Sequence, residues 1–360
     1  MAQIDAFFKL MNDEGASDLH MVAGQQPILR IRGDMERVKF RAMGDDELKA
    51  MLYEICPEEK IKLFEETGDI DFGYEIPGLA RYRCNFFRQK YGIGSVFREI
   101  PSKIMSCEDL GLPKVVSRLA QLPKGLVLVT GPTGSGKSTT LAAIIDEANR
   151  TRKDHILTVE DPIEFVHQSQ KCIVNHREVG THTRSFSAAL RGALREDPDI
   201  IMVGEMRDLE TISLAMEAAM TGHLVFGTLH TLNAMKTVDR VIEIFPANQQ
   251  GQVRSTLADA LKAVVSQTLF KRIDIKGRCA ALEILIATPA VRNLIRDGKT
   301  FQIASVMQTG RKYGMQTLDD AIETYLEKRM ISPESAYSNA MDKAKFLKFL
   351  SKPPADFTEV

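Results

Sequence analysis

The chain is 360 residues long and 44% hydrophobic, which suits two domains with filled cores. Lysine and arginine number 47 against 48 acids, so the formal net charge is -1 and gives no bulk electrostatic reason to expect nucleic acid as the main partner. No apolar run approaches the ~20 residues that cross a bilayer, and five scattered cysteines without a C-x-x-C argue against a disulfide framework or a structural zinc.

The start, MAQIDAFFKLMNDEG, has no signal-like apolar core, so a soluble cytoplasmic protein is expected. Leu29 and Ile31 then alternate with Arg30 and Arg32 before a Gly33-Asp34 turn. The stretch DDELKAMLYEICPEEKIKLFEETG reads as two short helices broken at Pro57. Ile70, Phe72, Tyr74 and Ile76 alternate with polar residues up to the Pro77-Gly78 turn, and Ala80, Tyr82, Cys84 and Phe86 alternate on the way back. Period-two patterns bounded by turns predict antiparallel strands with one wet face. Residues 1–100 are therefore expected to be a small α+β domain. A proline-bearing linker over 101–124, with Pro101, Pro113 and Pro123, follows.

From 125 the pattern changes. Buried strands are predicted at Leu126–Thr130, Ile156–Val159, Ile200–Val203, Leu224–Leu229 and Ala281–Ile286. Helices are predicted at Ser138–Asn149, Phe186–Leu194 and Leu209–Met220, the last with Asp208 as N-cap and Gly222 past its end. The alternation predicts a mostly parallel sheet covered by helices, with ligands at the carboxyl ends of its strands. That α/β core spans 125–288, and 289–360 reads as helical.

Gly131-Pro132-Thr133-Gly134-Ser135-Gly136-Lys137-Ser138-Thr139 fits G-x-x-x-x-G-K-[ST] completely, between a predicted strand and a predicted helix. Such a loop surrounds an anion with backbone N–H groups and a positive helix end. Lys137 should reach the β and γ phosphates of a nucleoside triphosphate, and the Ser138 hydroxyl should bind Mg²⁺.

Hydrolysis also needs acids. Ile200–Val203 runs into Gly204-Glu205, where Gly204 replaces the common aspartate. Glu160, Asp161 and Glu164 cluster after another strand, and a bound cation would relieve their repulsion. A solvated acidic turn is the plainer alternative there. His223 and His230 bracket a strand, where a γ-phosphate sensor or ordinary core or surface histidines are both open. Seven residues along one strand cannot converge on a single metal ion. Arg81 and Arg83 lie on one strand face, as a wetted surface or as fingers toward a neighbouring subunit's phosphate.

Together with Ala16-Ser17-Asp18-Leu19-His20, Gly204-Glu205-Met206-Arg207-Asp208, Thr221–Thr231 and Ala290-Val291-Arg292-Asn293-Leu294-Ile295-Arg296, these motifs give the chain its resemblance. It resembles the secretion-superfamily (GspE–VirB11-type) ATPases, and within them the PilT-like retraction ATPases of type IV pili. Val291 stands where that family usually has Ile. The resemblance implies a PAS-like first domain, a RecA-like second domain and a homohexameric ring that binds ATP and Mg²⁺ between its domains. It implies Glu164 as general base, Glu205 as the metal-side acid, His230 as γ-phosphate sensor, and Arg81 and Arg83 as arginines supplied across subunits. It makes 290–296 a candidate coupling surface. An inner-membrane platform protein, and a second retraction ATPase, are the partners it implies. The residues alone leave the base open between Glu160, Glu164 and Glu205. A pilus-extension or type II secretion ATPase is the nearest alternative, and a RecA-like nucleic-acid motor is the reading from another class.

Overall fold

The single change of sequence pattern near residue 125 separates two sheets. The computed structural model describes residues 2–31, 34–100 and 103–350. Arg32, Gly33 and Pro101, expected at a strand end, in a turn and in the linker, lie outside the described residues. The chain forms two compact units, one of residues up to 103 together with 162–166, the other of 104–161 and 167 onward.

The first unit opens with α1 (Asp5–Asp13), followed by β1 (Asp18–Val22), β2 (Ile28–Ile31) and β3 (Asp34–Arg37). Helices α2 (Asp45–Tyr53) and α3 (Glu58–Thr67) come next, with Pro57 as the N-cap of α3, as expected for a break there. Strands β4 (Asp69–Ile76), β5 (Ala80–Gln89) and β6 (Gly92–Ile100) complete an antiparallel sheet of order β3-β2-β1-β6-β5-β4. The period-two pattern sends Tyr82, Cys84 and Phe86 of β5 inward. Phe8 of α1 stacks on Tyr82 at 4.2 Å and meets Phe97 edge-on at 5.0 Å. This aromatic core fixes which face of β5 is left to the arginines.

The second unit begins with α4 (Lys114–Leu119) and β7 (Gly125–Thr130), then α5 (Lys137–Thr151), β8 (His155–Glu160), β9 (Ile173–Glu178) and α6 (Phe186–Ala193). It continues through β10 (Ile200–Val203), α7 (Leu209–Thr221), β11 (Leu224–Leu229), α8 (Ala234–Glu243), α9 (Gln250–Ala260), β12 (Leu261–Lys271) and β13 (Arg278–Ile286). The sheet order is β13-β12-β7-β11-β10-β8-β9. Every neighbouring pair is parallel except β12–β13. All six residues of β7 and of β11 are buried, as continuous apolar runs in a doubly covered sheet should be. The architecture is mixed α/β, as the sequence pattern predicts. Of the five strands expected here, four are present in parallel pairs within a residue or so, as β7, β8, β10 and β11. The fifth is the antiparallel β13, which begins three residues early. Strands β9 and β12 have no counterpart in the sequence reading.

Helices α10 (Pro289–Arg296), α11 (Ile303–Thr309), α12 (Leu318–Glu327), α13 (Pro333–Asn339) and α14 (Lys343–Phe346) follow. In α10 Val291 and Ile295 are fully buried, whereas Arg292 donates to the Ala287 carbonyl and Arg296 pairs with Asp259. Among the described residues no helix is long and apolar enough to cross a membrane.

Candidate functional site

The parallel register brings the carboxyl ends of β7, β11, β10 and β8 to one edge, in that spatial order. Each strand delivers a different group there. β7 ends in the phosphate loop, β11 in His230, β10 in Gly204-Glu205 and β8 in Glu160-Asp161.

Gly131, Gly134 and Gly136 hold φ of +142°, +78° and +86°, values that a side chain would strain. A Cβ on Gly131 would lie 2.3 Å from the Gln267 carbonyl oxygen, and one on Gly136 2.8 Å from Gln267 Nε2. Thr133 and Gly134 are exposed at the loop tip, while Ser138 and Thr139 are half-buried in the first turn of α5. Lys137 is nearly buried, and its ammonium donates to the carbonyls of Gly131 (2.9 Å) and Pro132 (3.1 Å). The cation therefore lies inside the ring of the loop. Ser135 Oγ is buried and has no hydrogen-bond partner among the described residues. Glycine backbone, enclosed cation, orphaned hydroxyl and helix N-terminus are the donor set a polyphosphate requires.

Gln267 is a site residue that sequence reasoning missed. From β12 its Nε2 donates to the Ser135 carbonyl (2.6 Å), and its Oε1 accepts from Thr140 Oγ1 (2.7 Å). One buried amide thus ties the loop to α5. The available signal was the polar triplet Ser266-Gln267-Thr268 inside an otherwise apolar run, AVVSQTLF.

Gly204 has a local reason to be glycine. A Cβ there would approach the Val159 carbonyl oxygen to 3.2 Å and Glu160 Cα to 3.3 Å. The next residue, Glu205, turns outward and its Oε1 accepts from His230 Nε2 (2.8 Å) and Arg207 Nε (2.5 Å). Burial opposes ionisation of Glu205, but the Arg207 and His230 partners outweigh it and hold the carboxyl below the ordinary glutamate value. Glu205 is therefore a fixed anion, and His230 presents an N–H toward it. His223 sits at the opposite end of β11, where its Nδ1 and backbone N–H meet the Ala218 carbonyl at the end of α7. The two histidines separate into a carboxyl-edge group and a helix-end group.

The turn after His230 is held by hydroxyls. Thr231 Oγ1 meets Thr237 Oγ1 at 2.7 Å, Thr237 donates to the Asn233 carbonyl, and Thr130 Oγ1 meets Ser266 Oγ at 2.8 Å. Glu283 of β13, also unforeseen, accepts from the Ala234 N–H at the start of α8 (2.7 Å). Burial raises the Glu283 carboxyl above its ordinary value.

Glu160 is buried at the end of β8, with its Oε1 3.8 Å from His176 Nδ1. Glu164 is half-buried within 162–166, the piece grouped with the first unit. Taken alone, the second unit brings Glu160, Asp161 and Glu205 to its carboxyl edge.

In the first unit Arg81 and Arg83 share the face of β5 opposite the aromatic core. Arg81 lies across Gly73 and 3.7 Å from Glu75, and Arg83 Nε donates to Asp71 Oδ1 at 3.4 Å. Arg83 stands directly opposite Arg98 of β6, whose Nε donates to the buried Asp18 (2.8 Å).

The family model described as type II/IV secretion system protein matches residues 103–312. The type IV pilus retraction ATPase PilT of Pseudomonas aeruginosa is 56% identical over 332 residues, 92% of this chain and 95% of that one. A twitching motility protein of Neisseria gonorrhoeae is 52% identical over 316 residues, 88% of this chain and 84% of that one. Among solved structures, the pilus retraction motor PilT with bound ADP superposes with a TM-score of 0.88 at 44% identity, covering 96% of this chain and 98% of that one.

Proposed function

The chain belongs to the family of type II/IV secretion system proteins, and from that premise we propose that it is an ATP-hydrolysing motor that powers type IV pilus retraction and so twitching motility. The observation that supports this most is the carboxyl edge of the second sheet. There Lys137, Glu205 and His230 follow the ends of three strands that neighbour one another, in a chain 56% identical to a named retraction ATPase.

In this reading the loop from Thr133 to Thr139 holds the phosphates of ATP. Lys137 moves from the Gly131 and Pro132 carbonyls onto the β and γ oxygens, exchanging two neutral acceptors for a charged one. Among the described residues no group of three or more His, Cys, Asp or Glu could hold an ion, so a cation here would share ligands with its substrate. Ser138, and Glu205 partly through water, are the residues that would hold Mg²⁺, which neutralises charge on the transferring phosphoryl group. Glu164 orients or deprotonates the attacking water, with Glu160 as the alternative carboxylate. His230, fixed by Glu205, reports the γ-phosphate to the Thr231–Asn233 turn and so to α8. Arg81 and Arg83 serve a neighbouring subunit's phosphate, which requires a homo-oligomer, here a hexamer. Residues 101–124 serve as linker and 289–360 as the output region. The motor acts at the cytoplasmic face of the inner membrane on a platform protein, alone or with a second retraction ATPase.

The test is to purify the chain and to express it in cells lacking their own retraction motor. Hydrolysis in vitro and pilus withdrawal in cells are expected, and Lys137→Ala should lose both. Hydrolysis without withdrawal, together with restored pilus assembly in cells lacking their own extension motor, would turn the reading to an extension ATPase. Salt-sensitive binding of single-stranded DNA that stimulates turnover would turn it to a nucleic-acid motor.

A further inference from the structure

His176 belongs to none of the motifs above, yet it touches both ends of the acidic segment. It lies on β9, directly opposite Thr158 of β8, two residues before Glu160. Its Nδ1 is 2.8 Å from Thr158 Oγ1, and its Nε2 faces the backbone of His167, 3.1 Å from the N–H nitrogen and 3.3 Å from the carbonyl oxygen. Whichever ring nitrogen carries the proton, Nδ1 has Thr158 as its partner and Nε2 has the His167 backbone. A single imidazole therefore bridges the strand that leads into the segment and the first residue after it. The His167 ring is buried and stacks on His176 at 5.9 Å and 13°, closing the same end.

We propose that His176 is a positioning residue that fixes the downstream end of the segment 160–166 and thereby holds its carboxylates for hydrolysis. The inference rests on the proposal above that this segment supplies the general base. Small misplacements of a base cost large factors in rate, so a tie at the downstream end of its segment matters. Through one ring on β9, Thr158 just before the segment and His167 just after it are tied to the second sheet.

Two near-isosteres divide the two bonds of the ring. Gln extends as far as Nε2, so His176→Gln keeps an acceptor for the His167 N–H. Asn extends only as far as Nδ1, so His176→Asn keeps a hydrogen-bond partner for Thr158 and loses the loop. We expect His176→Gln to hold kcat within about threefold, and His176→Asn to lose about tenfold or more, with KM for ATP and thermal midpoint unchanged. Hydrogen exchange at the His167 amide should quicken in the Asn variant and not in the Gln variant. Equal kcat in the two variants, or unchanged His167 protection in His176→Asn, would overturn the proposal. Glu164→Gln, measured alongside, separates the two readings. Full turnover there removes the base assignment, and the amide protection still decides the tether.

Discussion

The carboxyl edge of the second sheet and the arginine face of the first hold similar numbers of charged side chains and use them in opposite ways. At the edge, topology gathers unlike groups from different strands, and Lys137, Glu205 and His230 each engage partners that a phosphate or a cation can replace. On the face, antiparallel pairing puts Arg83 beside Arg98, a costly like-charge pair, and relieves it locally with Asp71 and Asp18. The first region is poised for a ligand. The second is neutralised within itself and gains a role only when something outside the chain competes for its arginines.

The contrast breaks most readily at Lys137. Lys137→Ala should lower turnover by roughly 10³-fold, because the charge inside the loop is removed where phosphate charge develops. The fold should survive, since the carbonyls of Gly131 and Pro132 that the lysine serves can be served by water. Next comes the difference between the ends of β11. His230→Ala should cost about 10²-fold in turnover, and His223→Ala, which only loosens the end of α7, about twofold at most. Equal losses would mean that the histidines share one structural role.

Protonation sharpens the comparison further. Burial, with a smaller push from His176, depresses His167 to about 3. An unfolded histidine titrates near 6.5, so the unfolded chain binds this proton first as pH falls. Stability from neutral His167 is thus complete above about pH 6.5 and is lost toward pH 3, by at most about 1.4 kcal/mol per pH unit. Denaturant unfolding of His167→Phe across that window should show a shallower decline. A parallel decline would place the sensitivity elsewhere.

Much of this edge is legible in sequence because each motif is contiguous. Gly131–Thr139, Glu160–Glu164 and Gly204-Glu205 each announce a strand end, and parallel pairing does the gathering. Gln267 was not legible, since its partners Ser135 and Thr140 are about 130 residues away and its strand, β12, had no predicted period. A Gln267→Leu change tests that blind spot. It strands a buried carbonyl and a hydroxyl, and should cost about 1–3 kcal/mol of stability with a loss of about tenfold in turnover. On the arginine face the alternation of β5 was legible, but not the identity of the cross-strand neighbours that neutralise it. Gly73, Asp71 and Arg98 come from two other strands, and only register decides which of them meets Arg83.

That neutralisation is why the smallest structural effect is expected at Arg83, and why it carries the most about assembly. Its pair with Asp71 is long and half-exposed, so Arg83→Ala should change stability by less than about 1 kcal/mol. A fall in turnover cannot then be blamed on the fold. If Arg83 serves a neighbouring subunit, mixing inactive Arg83→Ala with inactive Lys137→Ala should restore part of the activity. Some mixed interfaces would pair an intact loop with an intact arginine. Rescue should grow with protein concentration as mixed rings form. Full activity of Arg83→Ala alone would return the arginine to the wetted sheet face from which its pairing with Asp71 starts. Loss without rescue at any ratio would keep its action within one subunit.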